Sequence, residues 1–178
     1  IKKTLLSETC GLDTMQELKT AIKALVGLSD VDVGIMPFVS INGKIVFDEQ
    51  ASRHSIISNN CKSDDARSIA LFQHFVEFIK SSGVPTPISN LTEDLLEMAP
   101  FLAGFAAQGT KSYIAYPMQN SDGLIGYLEL ASPRKNALTH ETILRLEPAI
   151  PLVSLAVLKC RDDFHSRIEK VIREKFTA

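Results

Sequence analysis

Four absences narrow the field before any motif is read. There are only three cysteines, Cys10, Cys61 and Cys160, and no CxxC pair among them. An odd, scattered set predicts neither a disulfide framework nor a zinc knuckle, so the thiols read as buried or incidental. No charge excess exists either, the net charge being −2, and without the basic stripe that gathers phosphates no nucleic-acid partner is expected. No apolar run approaches the roughly 18 residues of a spanning helix. No secretory core follows Ile1-Lys2-Lys3, so the chain reads as cytoplasmic with no membrane partner. Enzyme signatures are missing as well: no G-x-S-x-G, no glycine-rich phosphate loop, no dinucleotide fingerprint, no H-E-x-x-H. His140-Glu141 opens like the last of these, but no second histidine follows in the next turn.

What is present can fill one core. At 178 residues, 45% hydrophobic and 22% charged, the composition is that of a single globular domain. The missing initiator Met, with a long helical pattern running to the other end, reads as a piece of a longer polypeptide.

The most legible stretch is Ser112 to Ser132. Two apolar runs, Tyr113 to Met118 and Leu124 to Ala131, flank Gln119-Asn120-Ser121-Asp122-Gly123, which predicts an antiparallel hairpin at a sheet centre. Period-two geometry puts Leu124, Gly126, Leu128 and Leu130 on one face and Ile125, Tyr127 and Glu129 on the other. A second hairpin is predicted from Val31–Ser40 and Lys44–Asp48 around Asn42-Gly43, with Pro37 where pairing ends or bulges. Helices are predicted from Asp13 to about Gly27, from Ser63 to Lys80, from an Asn90 cap through Met98, and again from Pro100. Met15, Leu18, Ile22, Leu25 and Val26 form the inner face of the first, with Lys19 and Lys23 on its solvated side.

The strand ending in Tyr116-Pro117-Met118 and the run Gly123-Leu-Ile-Gly126-Tyr-Leu-Glu-Leu130-Ala-Ser132 resemble the last hairpin of GAF domains, small sensory modules related in architecture to PAS domains. The order of elements along the chain agrees. The resemblance implies an α+β fold: an antiparallel GAF-like sheet of five to six strands, helices on both faces and a long C-terminal helix. The domain would span residues 1–160, including the N-terminal helix, with 161–178 as a helical extension or linker. In GAF domains the helices between the early and late strands lie over one sheet face and enclose a small-molecule pocket. Carried to this chain, the resemblance implies a wall from Ser89 to Phe105, including Ser89, Asn90, Phe101 and Phe105, and a floor of Phe38, Tyr113, Tyr116 and Met118.

No cofactor or ligand is named by these residues. Asn42, Lys44, Phe47, Asp48 and Glu49 hold the letters of the cyclic-nucleotide motif of phosphodiesterase GAF domains, but Gly43 intervenes and Phe47 abuts Asp48. A haem would have only His54 or His74 to propose as ligand, and His54, with no nucleophile set beside it, reads as a surface or strand-end residue. Between Ser81 and Gln108 there is no Arg or Lys, so an anion on that wall would depend on helix-end amides or Lys111. The small residues from Ala103 to Gly109 leave room for a ligand or let a helix pack closely; both readings stand.

Thr139 is expected to cap the closing helix, where Ile143, Leu146, Ile150, Val153, Val157, Cys160 and Phe164 recur at spacings of three and four. That seam is the expected homodimer interface, while Leu152, Leu155 and Leu158 lie off it. Pro148 and Pro151 should bend or open the helix. The reading of function is a non-catalytic sensory or regulatory domain that binds a small molecule or a partner and signals through terminal helices. The alternatives are a structural dimerisation module without ligand, or a cysteine-dependent free methionine sulfoxide reductase, for which Cys61 alone lies near the middle of the fold.

Overall fold

The structure, a computed structural model, describes residues 12–37, 39–41, 44–46, 74, 77, 81, 83–121, 123–159, 162, 166 and 170. The predicted strand or loop around His54, the apolar stripe of the Ser63–Lys80 helix, and Cys10, Cys61 and Cys160 lie outside them. His74, Glu77 and Ser81 are helical and exposed.

Helix α1 spans Leu12–Val26. It stops where expected: Gly27 takes a φ of +73° and its amide donates to the Lys23 carbonyl at 3.0 Å, a left-handed C-terminal turn that costs a glycine nothing. Its inner face is rotated from the expected one. Ile22 and Val26 are buried, Leu25 is 45% exposed, and Lys19 and Lys23 are half-buried, which long aliphatic stems tolerate while the ammonium reaches water.

Strand β1 (Asp32–Pro37) is followed by β2 (Val39–Ile41) and β3 (Lys44–Val46), then β4 (Thr86–Ile88), β5 (Ser112–Asn120) and β6 (Gly123–Ser132). Among the described residues a four-stranded antiparallel sheet runs in the order β1-β6-β5-β4, and β2 pairs with β3. Of the strand expected over 31–40, residues 32–37 and 39–40 are extended, and Phe38 between them lies outside the described residues. Pro37 makes the last described pairing of β1, opposite Gly126. Among the described residues the main sheet has four strands.

Register assigns the two faces, because directly paired residues point the same way. Val33, Ile35, Leu128, Leu130, Ile114 and Met118 form one side, and they pack with Ile22 and Val26 of α1 and with Ile143, Leu146, Val153 and Val157 in a single buried cluster. The opposite side carries Tyr113, Ala115, Tyr127, Glu129 and Ala131. Ile125, expected beside Tyr127 and Glu129, belongs to the helix-side cluster instead. The cause is a bulge: Met118 pairs with Gly126 and Gln119 with Leu124, so Ile125 has no opposite number and is turned over.

The closing segment begins with helix α4 (His140–Leu146), continues as a 3-10 turn over Glu147–Ala149 and resumes as helix α5 over 150–159. Pro148 sits inside the 3-10 turn, where its missing amide hydrogen interrupts the α-helical ladder. At the start of α4 the Thr139 amide donates to Thr142 Oγ1 at 3.1 Å, and Thr142 is buried. Thr142→Val keeps the shape and strands that amide, so it is expected to lower unfolding free energy by about 1–2 kcal/mol, read as a lower urea midpoint at unchanged slope.

Candidate functional site

The sheet face opposite α1 is covered by a lid of short elements. Helix α2 spans Glu93–Met98, a 3-10 turn follows over Pro100–Leu102, and helix α3 spans Ala103–Ala107. Asn90 was expected to cap α2, but Thr92 does so, its hydroxyl accepting from the Leu95 amide. The Leu91 amide is already engaged with the Lys111 carbonyl at 2.8 Å, which holds residues 90 and 91 beside the start of β5. At the other end the Thr110 amide returns to the Phe105 carbonyl at 3.0 Å. The lid is thus tied at both ends to the entry of one strand.

Its grip is uneven. No residue of α2 is buried, and Met98 is 76% exposed, whereas Phe101, Leu102 and Phe105 are buried. The Phe105 ring lies 4.7 Å from that of Tyr113 at 52°, within the range of favourable aromatic pairs. Segments with few buried apolar contacts open most readily, so α2 is the loose part of the lid and the 3-10 turn with α3 is the fixed part.

Beneath it the sheet presents ordered rows. One row reads Gly34, Glu129, Ala115 and Thr86, and the next Asp32, Ala131, Tyr113 and Ile88. Glu129 is fully buried, as are Tyr113 and Tyr127. The Tyr113 hydroxyl donates to Glu129 Oε1 at 3.5 Å, a long diagonal contact between neighbouring rows. Burial, followed by the Glu129 charge, pushes the Tyr113 phenol well above its ordinary value, so it keeps its proton and remains a donor. Burial also pushes Lys19 down, with the Glu129 charge acting in the opposite direction.

Among the expected pocket residues, Phe101, Phe105 and Tyr113 come together here. Ser89 and Asn90 are half-buried at the lid's entry, where the Ser89 carbonyl accepts from the Asn136 amide at 2.8 Å and the buried Asn90 Oδ1 has no hydrogen-bond partner among the described residues. Tyr116 and Met118 do not join them. Strand alternation sends both to the helix face, where Met118 is in the core cluster and Tyr116 packs against it; burial and then the Glu147 charge raise the Tyr116 phenol. Phe38 lies outside the described residues. Sequence reasoning missed Glu129 and Tyr127 as site residues. The available signal was a carboxylate amid an otherwise apolar strand, on the same alternation as Tyr127.

Ile143, Leu146, Val153 and Val157, expected to meet a partner, are buried in the chain's own core, with Ile150 packed against it. That correction follows from helix geometry: the three-and-four spacing marks one apolar stripe, and the sheet occupies it. Cys160 and Phe164 lie outside the described residues. The outward row is Leu144, Leu152 and Leu155, exposed by 54%, 67% and 64%.

Elsewhere, an open groove of about 550 Å³ runs along α1 past Gln16, Glu17, Thr20, Ala21 and Ala24. It is lined by exposed polar and small residues and gathers no chemistry. Among the described residues no three His, Cys, Asp or Glu side chains converge as a metal site. No helix among them is long and apolar enough to cross a membrane.

No family model matches the chain, and no curated protein matches it. Solved structures do. A domain of a protein described as a two-component sensor histidine kinase from Sinorhizobium meliloti 1021 is 13% identical, with 87% of this chain and 95% of that one covered at a TM-score of 0.52. The chain has a GAF fold. Within that fold, a type II free methionine-R-sulfoxide reductase from Thermoplasma acidophilum aligns at 19% identity, 83% and 92% coverage and a TM-score of 0.49. The GAF domain region of a protein from Geobacter sulfurreducens PCA aligns at 16% identity, 82% and 93% coverage and a TM-score of 0.45. At these identities the likeness speaks for architecture only.

Proposed function

We propose that this chain is a non-catalytic sensory or regulatory GAF domain of the cytoplasm that takes a small molecule on the lid-covered face and passes the change to its terminal helices. The observation that carries the reading is the division of the sheet into two differently built faces. One is a continuous aliphatic core with α1, α4 and α5; the other carries buried Glu129, Tyr113 and Tyr127, with Phe105 of the lid set against Tyr113 and a first lid helix that buries none of its own side chains. A ligand that lifts α2 would act on β5 and β6, and both strands also bear on the helix layer. The route to a partner runs through the outward row Leu144, Leu152 and Leu155, the exposed side of the same helices.

A second reading has its own support. Phe101, Leu102, Phe105 and Tyr113 are packed to 7% exposure or less, which also suits a structural dimerisation module with a filled face. Native mass spectrometry of the whole chain separates the two. A dimer with added mass is the expected result and gives the ligand's class directly; a bare dimer favours the structural module, and a bare monomer removes pairing through the terminal helices.

A further inference from the structure

The segment from Ser132 to Thr139 joins the end of β6 to the start of α4, and it is held from several directions at once. Toward the lid, the Asn136 amide donates to the Ser89 carbonyl at 2.8 Å. Toward the sheet, the Ser112 hydroxyl donates to the Arg134 carbonyl at 2.8 Å and the Arg134 amide to Ser132 Oγ at 3.3 Å. The Lys111 amide donates to the Ser132 carbonyl at 2.7 Å, and the Lys111 carbonyl in turn takes the Leu91 amide. Toward the helix layer, the Arg134 guanidinium meets both carboxylate oxygens of Asp30 at 2.9 Å, in the turn between α1 and β1. Leu138 is fully buried in the core cluster that α1 and α4 share.

The bend that brings these contacts together is itself held in place. Asn136 has a φ of +57° and is, among the described residues, the only one other than glycine in the left-handed region. Such a backbone persists where its surroundings fix it, and here Ser89 takes the amide on one side while the Arg134 fork is seated on Asp30 on the other. A two-pronged guanidinium–carboxylate contact fixes orientation as well as distance. We infer that Ser132–Thr139 is a strap that makes the lid's entry, the turn after α1 and the first turn of α4 one cooperative unit: Ser89 to Leu91 come free when Arg134 leaves Asp30, and the reverse. Proteins open in contiguous units of this kind, and the coupling between two ends of a unit is reciprocal. The far end of the lid, tied by the Thr110 amide to the Phe105 carbonyl, lies outside the unit. The strap needs no ligand to act; it is a path around the end of the sheet by which a movement of the lid's entry reaches α1 and α4.

Amide hydrogen exchange, followed by NMR on the whole 178-residue chain, tests this with Asp30→Asn, which keeps the shape, removes the charge and lies outside the strap. The reporters are the amides of Leu91 and Asn136 at the lid's entry and of Ile143, which donates to the Thr139 carbonyl at the start of α4. All should exchange faster by one common factor of about two to five, the range of an ion pair whose side chains are 56% and 32% exposed, while Thr110 keeps its rate. Arg134→Gln should reproduce the pattern. Salt at about 1 M, which screens an exposed pair, should speed the same amides in the unmodified chain and leave Arg134→Gln unmoved. Acceleration confined to Asn136, or none at all, would overturn the strap as a joint. An equal rise at Thr110 would overturn it too, because the opening would then be global. The salt comparison on the unmodified chain decides the matter even if a variant fails to fold.

Discussion

Val157→Asp is expected to cost about 3–5 kcal/mol of unfolding free energy, the penalty of an uncompensated charge in a packed interior. Val157 is fully buried within the cluster that joins α1, α5 and the helix side of the sheet. Leu155, two residues earlier on the same helix, is 64% exposed, and Leu155→Asp should stay within about 0.5 kcal/mol of the parent. Urea unfolding of the two variants, compared at equal slope, reads the difference. Equal costs, or a greater cost for Leu155→Asp, would reverse the assignment of inner and outer faces on the closing helix. The same pair bears on pairing: if the outward row holds two copies together, Leu155→Asp yields a folded monomer, whereas Val157→Asp loses the fold first.

Phe105→Ala should be nearly as damaging, at about 3–5 kcal/mol. The ring is 1% exposed and stacks at 4.7 Å on Tyr113, so its removal leaves a cavity above a fully buried residue as well as losing the transfer energy of the ring. Met98→Ala, on the 76% exposed residue of α2, is the matched control and should change stability by no more than about 0.5 kcal/mol. Hydrogen exchange adds a second readout: the amide of Thr110, bonded to the Phe105 carbonyl, should lose protection in Phe105→Ala and keep it in Met98→Ala. A loss below about 1 kcal/mol in Phe105→Ala, smaller than any large-to-small core substitution of this kind, would show that the lid contributes little to the folded state.

These two variants probe elements whose legibility in the sequence differed. The β5–β6 hairpin was readable because apolar runs of strand length meet a polar turn, and Asn120 does pair with Gly123 across it. The end of α1 at Gly27 was readable because a glycine supplies the left-handed turn. The restart of helix at Pro100 was readable because proline suits a first turn. Other features depended on a competing bond that no local pattern displays. Thr92 caps α2 in place of Asn90, while the Leu91 amide goes to Lys111, twenty residues along. Likewise Ile125 changes faces because one residue of β6 is left over when Gln119 takes Leu124 as its partner.

The sequence by itself determined the α+β class and the central hairpin, since these follow from composition and from periods of two and 3.6 along the chain. Only the tertiary structure decided what each apolar stripe touches. A period shows that a face is buried and is silent about what buries it, so the seam of the closing helix reads as a contact with a second copy of the chain, whereas Val153 and Val157 lie in the chain's own core. For the same reason Tyr113, Tyr116 and Met118, so close along one strand, are divided between two faces. Register then placed Glu129 between Gly34 and Ala115, a neighbourhood assembled by pairing among three strands and therefore invisible along any one of them.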